Sequence, residues 1–181
     1  IDVHLKGLEA LGAKVHVEHG FVVAEAPEGG LRGATMYLGS AFGSSVLGTA
    51  NVLMAATLAN GTTVIHGAAC EPEVVDLCNC LISMGAKISG HGSPTLTIEG
   101  VDELHGAEHR VIPDRIEVGT YLLAGALTGG RVRVDGCRPD HLACLLNMMG
   151  QAGVGYESGE DWIETVERGY DAEGLQSTDI S

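Results

Sequence analysis

The sequence predicts an α/β protein turned inside out, with helices in the interior and sheets on the outside. Three observations lead there. A unit of roughly 70 residues recurs along the chain. The two most apolar helical stretches have no polar face, and such a helix belongs in an interior. The strands, by contrast, alternate polar and apolar residues, which gives each sheet one wet face.

Short matched segments carry the repeat. Leu11-Gly12-Ala13-Lys14-Val15 returns 73 residues later as Met84-Gly85-Ala86-Lys87-Ile88, with a weaker echo in Gln151-Ala152-Gly153-Val154. Leu31-Arg32-Gly33-Ala34 returns, again 73 later, as Leu104-His105-Gly106-Ala107, and Gly174-Leu175 stands as a third copy. Between these markers, residues 59–65 resemble 128–134, and Glu71-Pro72-Glu73 resembles Arg138-Pro139-Asp140. The unit occurs about two and a half times and is too long for a solenoid repeat, so each copy is a small α/β unit.

Each copy reads alike. A helix opens the chain at 3–11. The helices at 45–58 and 115–127 end at Asn60-Gly61 and Gly129-Gly130 turns. Strands follow at 62–66 and 131–135. Helices at 72–84 and 139–149 then begin with proline, whose missing N–H costs nothing in a first turn. Two strands close the unit, at 87–89 and 95–99 in the second copy. The order is β-α-β-α-β-β. Arg131-Val132-Arg133-Val134-Asp135 and Thr95-Leu96-Thr97-Ile98-Glu99 alternate strictly. In 46–58 and 116–127, by contrast, apolar residues fall on nearly every side, with Gly48, Ala50, Ala55 and Ala56 small enough for close helix contacts.

Composition narrows the function. With 45% hydrophobic and 19% charged residues the chain is globular, not disordered. The longest apolar run, 45–58, is broken by Gly48, Thr49 and Asn51 and is shorter than the ~18–20 residues a membrane span needs. A net charge of −14 with only 10 Lys+Arg argues against nucleic acid. Cys70, Cys78, Cys80, Cys137 and Cys144 form no CxxC pair and read as reduced core thiols of a cytoplasmic protein. The eight histidines form no i,i+4 pair on a credible helix, so no metal site is expected. The chain starts with Ile1 inside a helical pattern, without a signal peptide, and reads as an internal piece of a longer protein.

Several stretches resemble a known family: 2–13, Ala55-Ala56-Thr57-Leu58, 71–76, 84–88, Pro113-Asp114-Arg115-Ile116-Glu117 and Gly159-Glu160-Asp161-Trp162-Ile163. They look like the enolpyruvyl transferases and, among these, the UDP-N-acetylglucosamine 1-carboxyvinyltransferases. The resemblance implies a mixed α/β (α+β) fold, the inside-out α/β barrel of that family, present here only in part. Residues 1–111 would be the latter part of the first domain, and 112–181 the hinge and first part of the second. It also implies transfer of the enolpyruvyl group of phosphoenolpyruvate to the 3-hydroxyl of UDP-N-acetylglucosamine. That is the first committed step of peptidoglycan synthesis, run in the bacterial cytoplasm without cofactor or metal. The general acid, Cys or Asp before an Arg-Pro pair, would precede Ile1, and the second acid/base group would follow Ser181. The fragment is therefore expected to be inactive alone.

By the same resemblance, Asp2 and Val3 belong to the segment that cradles the uracil. Ser44, Ser45 and Val46 form a helix start that meets the diphosphate, with Gly43 where the family carries a lysine. Helix starts suit anions through unpaired N–H groups. Asp2 is also suited to capping, and Ser45 to a plain N-cap. Glu71, Glu73, Asp114 and Arg115 would face the interdomain cleft, and His4 lies next to the uracil segment. The alternatives are a shikimate-type enolpyruvyl transferase, or a non-catalytic relative that binds nucleotide sugar or a protein partner.

Overall fold

The computed structural model describes residues 1–41 and 43–166. The chain divides into two compact units, Ile1–Val111 and Ile112–Ser181. The third repeat marker, Gly174-Leu175, lies outside the described residues.

The first unit opens with helix α1 (Asp2–Ala10) and the hairpin β1 (Lys14–Glu18) and β2 (Phe21–Glu25). Strand β3 (Thr35–Tyr37), helix α2 (Val46–Ala56), strand β4 (Thr62–His66), helix α3 (Pro72–Ser83) and strands β5 (Lys87–Ser89) and β6 (Thr95–Glu99) follow, a β-α-β-α-β-β series. β3 and β4 are parallel across the α2 crossover, and the sheet order is β3-β4-β6-β5 with the remaining pairs antiparallel. Thr63, Ile65, Leu96 and Ile98 face inward and are buried, while Thr62, His66 and Glu99 lie toward solvent. Val52 and Leu53 of α2 and Cys78 and Leu81 of α3 join Ile65, Leu96 and Ile98 in one core. Burying each such large aliphatic side chain contributes about 1.5–3 kcal/mol.

In the second unit, helix α4 (Arg115–Thr128) leads to β7 (Arg133–Asp135). A 3₁₀ turn (Pro139–Leu142) runs into helix α5 (Ala143–Gln151), followed by β8 (Tyr156–Ser158) and β9 (Trp162–Thr165). The sheet order is β7-β9-β8, antiparallel throughout. Its core is built from Val118, Leu122, Leu142, Leu146, Met149 and Ile163. The segment expected as one helix at 139–149 is thus a 3₁₀ turn joined to α5, because the Pro139 start winds tightly before α-helical bonding begins.

The structure accounts for the repeat in hydrogen bonds. α1, α3 and α5 end in the same way, with Gly12, Gly85 and Gly153 at φ of 93°, 101° and 79°. In each, the glycine N–H and the next N–H reach back to carbonyls of the last turn: Gly12 to Glu9 and Ala13 to Leu8, Gly85 to Ile82 and Ala86 to Leu81, Gly153 to Gly150 and Val154 to Met149. Only glycine adopts such a backbone readily, and the paired bonds satisfy carbonyls that a helix end leaves open. Beyond that end, Arg32 N–H donates to Leu11 and His105 N–H to Met84, both at 2.9 Å, so the 73-residue spacing is a spacing of backbone contacts.

Two expectations need correction. Within their own units, α2 and α4 are buried on one side only. Leu47 (70%) on α2 and Leu58 (53%) just beyond it, and Ile116 (61%), Tyr121 (56%) and Leu127 (74%) on α4, remain exposed. Each unit offers these helices one sheet face and a neighbouring helix or turn, which covers only one side of a helix that is apolar all round. The thiols are also not uniformly core residues: Cys78 and Cys137 are buried, Cys80 is half-buried, and Cys70 and Cys144 are exposed.

Burial pushes the Cys78 thiol up to about 11 and raises that of Cys137 as well. The thiolate is the reactive form, so both should resist alkylation in the folded chain. Iodoacetamide at about pH 8, near the ordinary cysteine range, should label Cys70 and Cys144 first. Cys78 and Cys137 should react only on denaturation, as read by peptide mass spectrometry.

Candidate functional site

Asp2, Val3, His4, Ser45 and Val46 gather where α1 meets α2. Gly7 of α1 lies directly against the Val52 side chain, and a Cβ placed on Gly48 would stand 2.8 Å from Val3 Cγ1. Residue 3 therefore meets 48 and residue 7 meets 52, so the two helices run parallel and begin side by side. Asp2, Val3 and His4 are thereby brought to the start of α2, at Ser45 and Val46, although more than forty residues separate them in sequence.

Each residue has a local reason for its place. Ile1, not Asp2, is the N-cap of α1: the N–H groups of His4 and Leu5 bond to the Ile1 carbonyl. Asp2 is exposed in the first helical turn, where a carboxylate suits the dipole, so the expectation that it caps is corrected. Ser44 is exposed and precedes the helix. Ser45 is the N-cap of α2, and its Oγ accepts from the Gly48 N–H at 3.1 Å. The first N–H groups of a helix have no partner within it. With that of Gly48 taken by Ser45, those of Val46 and Leu47 remain at the helix start. The first turn of α2 carries no acidic residue.

The approach to α2 explains Gly43. Ser40 and Gly43 exchange backbone hydrogen bonds of 2.8 and 3.1 Å, and Ser40 Oγ donates to the Gly43 carbonyl at 2.9 Å. Gly43 closes this turn at a φ of 98°. A Cβ there meets nothing within 4 Å apart from its chain neighbours, so the obstacle to a side chain at this point is backbone conformation. A cation lies on the adjacent helix instead, where Lys6 Nζ donates to the Tyr37 carbonyl at 2.9 Å.

Two polar residues that the motif reading passed over tie this region together. Thr49 is fully buried, and its Oγ1 accepts from the Ala69 N–H at 3.0 Å, which fastens the segment leading to α3 onto α2. Asn51 Nδ2 lies 2.7 Å from His4 Nδ1, across the α1–α2 contact. Their signal was in the sequence: they are the only hydrogen-bonding side chains within the α2 stretch VLGTANVLMAA.

Glu71 stands as N-cap of α3 but makes no side-chain cap, and its Oε2 is buried without a hydrogen-bond partner among the described residues. Buried polar atoms ordinarily have partners, so this oxygen marks an unfinished polar environment. Glu73 sits in the first turn of α3. In the second unit, Asp114 caps α4, its Oδ1 accepting from Ile116 and Glu117 at 2.8 and 3.1 Å. Arg115 lines an open groove of about 280 Å³ with Thr120, Leu123, His141, Cys144 and Leu145. No cluster of metal-ligating side chains occurs among the described residues.

Comparison with known proteins follows the same lines. The family model described as EPSP synthase (3-phosphoshikimate 1-carboxyvinyltransferase) matches residues 1–180. The enolpyruvyl transferase NikO from Streptomyces tendae is similar in fold, with a TM-score of 0.76 and 23% identity over 91% of this chain. Two structures of EPSP synthase from Acinetobacter baumannii give TM-scores of 0.58 and 0.56 at 19% and 18% identity, again over 91% of this chain. The chain spans 41% of the NikO chain and 39% and 38% of the two synthase chains.

The turn geometry yields a direct test. Gly43→Lys should lower stability by about 1–2 kcal/mol, the cost of forcing a side chain into a left-handed backbone. Gly43→Ala should lose about the same, since strain and not contact is at issue. Urea denaturation followed by circular dichroism measures both.

Proposed function

The chain belongs to the EPSP synthase family of enolpyruvyl transferases, and on that premise we propose that it is part of a longer cytoplasmic enzyme that transfers the enolpyruvyl group of phosphoenolpyruvate to UDP-N-acetylglucosamine. The observation that carries the acceptor is the paired start of α1 and α2. Two parallel helix starts present N–H groups and positive dipole ends to one place. Each helix end favours an anion by about 0.3–1 kcal/mol when exposed, and more when water is excluded. That arrangement suits the diphosphate of a nucleotide sugar. Asp2 and Val3 would lie toward the uracil, and Ser44, Ser45 and Val46 toward the diphosphate.

Glu71 and Glu73 fit the same reading as acids that meet basic groups supplied by the rest of the enzyme. The Glu71 oxygen that has no hydrogen-bond partner among the described residues supports this. Asp114 and Arg115 would serve the cleft from the second domain. The exposed apolar sides of α2 and α4 support a longer protein, because a helix that is apolar all round is stable when covered all round. Catalysis would rest on holding two anionic substrates in register while acid/base groups outside this chain act on them. A peptidoglycan role follows from the acceptor. The description of the matching family favours a second reading, with 3-phosphoshikimate as acceptor.

Phosphate release separates these readings. The full-length protein should release phosphate from phosphoenolpyruvate with UDP-N-acetylglucosamine and not with 3-phosphoshikimate. The reverse preference would establish the second reading, and no release with either would favour a non-catalytic binder. The isolated 181-residue chain should release none above a no-protein control.

Ser45→Asp places a carboxylate at the proposed diphosphate contact and should weaken UDP-N-acetylglucosamine binding by tenfold or more, roughly the loss of one charge-assisted contact. Ser45→Ala should weaken it only slightly. Calorimetric titration of the full-length protein reads both, and unchanged affinity in a folded Ser45→Asp protein would remove this helix start from the site.

A further inference from the structure

Resting on the nucleotide reading above, we propose that Asn51 is a positioning residue: it fixes the proton of His4 on Nε2, so that His4 offers an N–H donor to the nucleotide at the paired helix start. The chemistry follows from one contact. Asn51 Nδ2 stands 2.7 Å from His4 Nδ1. With its NH₂ turned toward the ring the Asn51 amide donates, Nδ1 is the bare nitrogen, and the single proton of a neutral imidazole resides on Nε2; the opposite amide orientation would accept from an Nδ1–H, so the amide orientation is part of the proposal.

The surroundings make this contact more than a chance pairing. It joins residues 47 apart in sequence and crosses the α1–α2 contact. Both backbones there are held close by Gly7 against Val52 and Val3 against Gly48. His4 lies in the first turn of α1 and is half-buried. Asn51 occupies an otherwise apolar exposed stripe of α2, with Leu47 one turn before it and Met54 one turn after. Asparagine is a poor residue for a helix interior, because its side chain competes with backbone bonding. Thr49, the other hydrogen-bonding side chain of α2, is committed to Ala69. Asn51 therefore contributes little to the helix or its core, and its amide is spent on the histidine. A ring left unfixed would divide its proton between two nitrogens and present the donor only part of the time.

Long-range nitrogen–proton spectra of the histidine rings test the first half, on the full-length protein at about pH 8, above the ordinary histidine range. The His4 signal is assigned by its loss in His4→Phe. The unsubstituted chain should show the Nε2–H pattern for His4, and Asn51→Ala should give a mixture of tautomers. Asn51→Asp, which exchanges the donor for an acceptor, should move the proton to Nδ1. Backbone spectra of the same samples report whether each variant folds, and either variant alone suffices. An Nδ1–H pattern in the unsubstituted chain, or an unchanged pattern in the folded variants, overturns the proposal.

The second half is read in the full-length protein by calorimetric titration with UDP-N-acetylglucosamine. His4→Phe and Asn51→Ala should each weaken binding about threefold to tenfold, the range of one hydrogen bond. Asn51→Ala should add nothing in the His4→Phe background, because it acts through His4. If Ser45→Asp weakens binding while these variants do not, the role of Asn51 falls and the nucleotide reading stands. If Ser45→Asp has no effect either, both fall.

Discussion

The first unit depends on the approach of α1 to α2. A residue larger than glycine at position 7 would enter the space of the Val52 side chain, and one at position 48 would press on Val3 and on the Ser45 hydroxyl that caps the helix. These two glycines let the helices lie in parallel contact, and the parallel direction puts both starts at one end. Without that approach Asp2, Val3 and His4 would have no relation to Ser45 and Val46, and the Asn51–His4 bond could not form. Glycine is unfavourable in a helix interior by about 0.5–1 kcal/mol relative to alanine. The packing of the core around Val52, Leu53 and Leu11 offsets that cost.

The second organising constraint is the helix ending shared by α1, α3 and α5. Each closes with a glycine at positive φ and a pair of backward hydrogen bonds. Because the ending fixes where the chain leaves the helix, it also fixes where the following β-hairpin begins. The copies differ in what they pair with. The β5–β6 hairpin is joined by β4 and the β8–β9 hairpin by β7, while β1–β2 stands as a two-stranded sheet among the described residues. Hence Val17 and Phe21, whose counterparts in a three-stranded sheet would have neighbours, are largely exposed.

Electrostatics separates structural from candidate functional charge. Arg131 forms a bidentate pair with Glu164 at 2.7 and 3.0 Å, and hydrogen bonding to that guanidinium holds the Glu164 carboxyl below its ordinary value. Arg138 does the same for Asp140. Both pairs brace surface elements of the second unit. In the first unit, the first turn of α2 lacks any acid while that of α1 carries Asp2, Lys6 donates to the Tyr37 carbonyl, and Glu71 keeps a buried oxygen without a partner among the described residues. The first turn of α2, unlike that of α1, thus offers its N–H groups without a carboxylate of its own.

The sequence by itself determined the repeat, the order of elements and the inward faces of the strands. These rest on local physics: a glycine after a helix, a proline at its start, and the period-two alternation of 95–99, whose Leu96 and Ile98 are fully buried. It also carried the family, since those same segments resemble the enolpyruvyl transferases. The pairing of α1 with α2, the positive φ that disfavours a side chain at position 43, and the partners of Thr49 and Asn51 were decided only in the tertiary structure. Each joins segments far apart in sequence or depends on a backbone angle, and neither leaves a periodic trace. The extent of helix burial was decided there too. An apolar pattern specifies that a surface should be covered, whereas what covers it depends on which other elements are within reach.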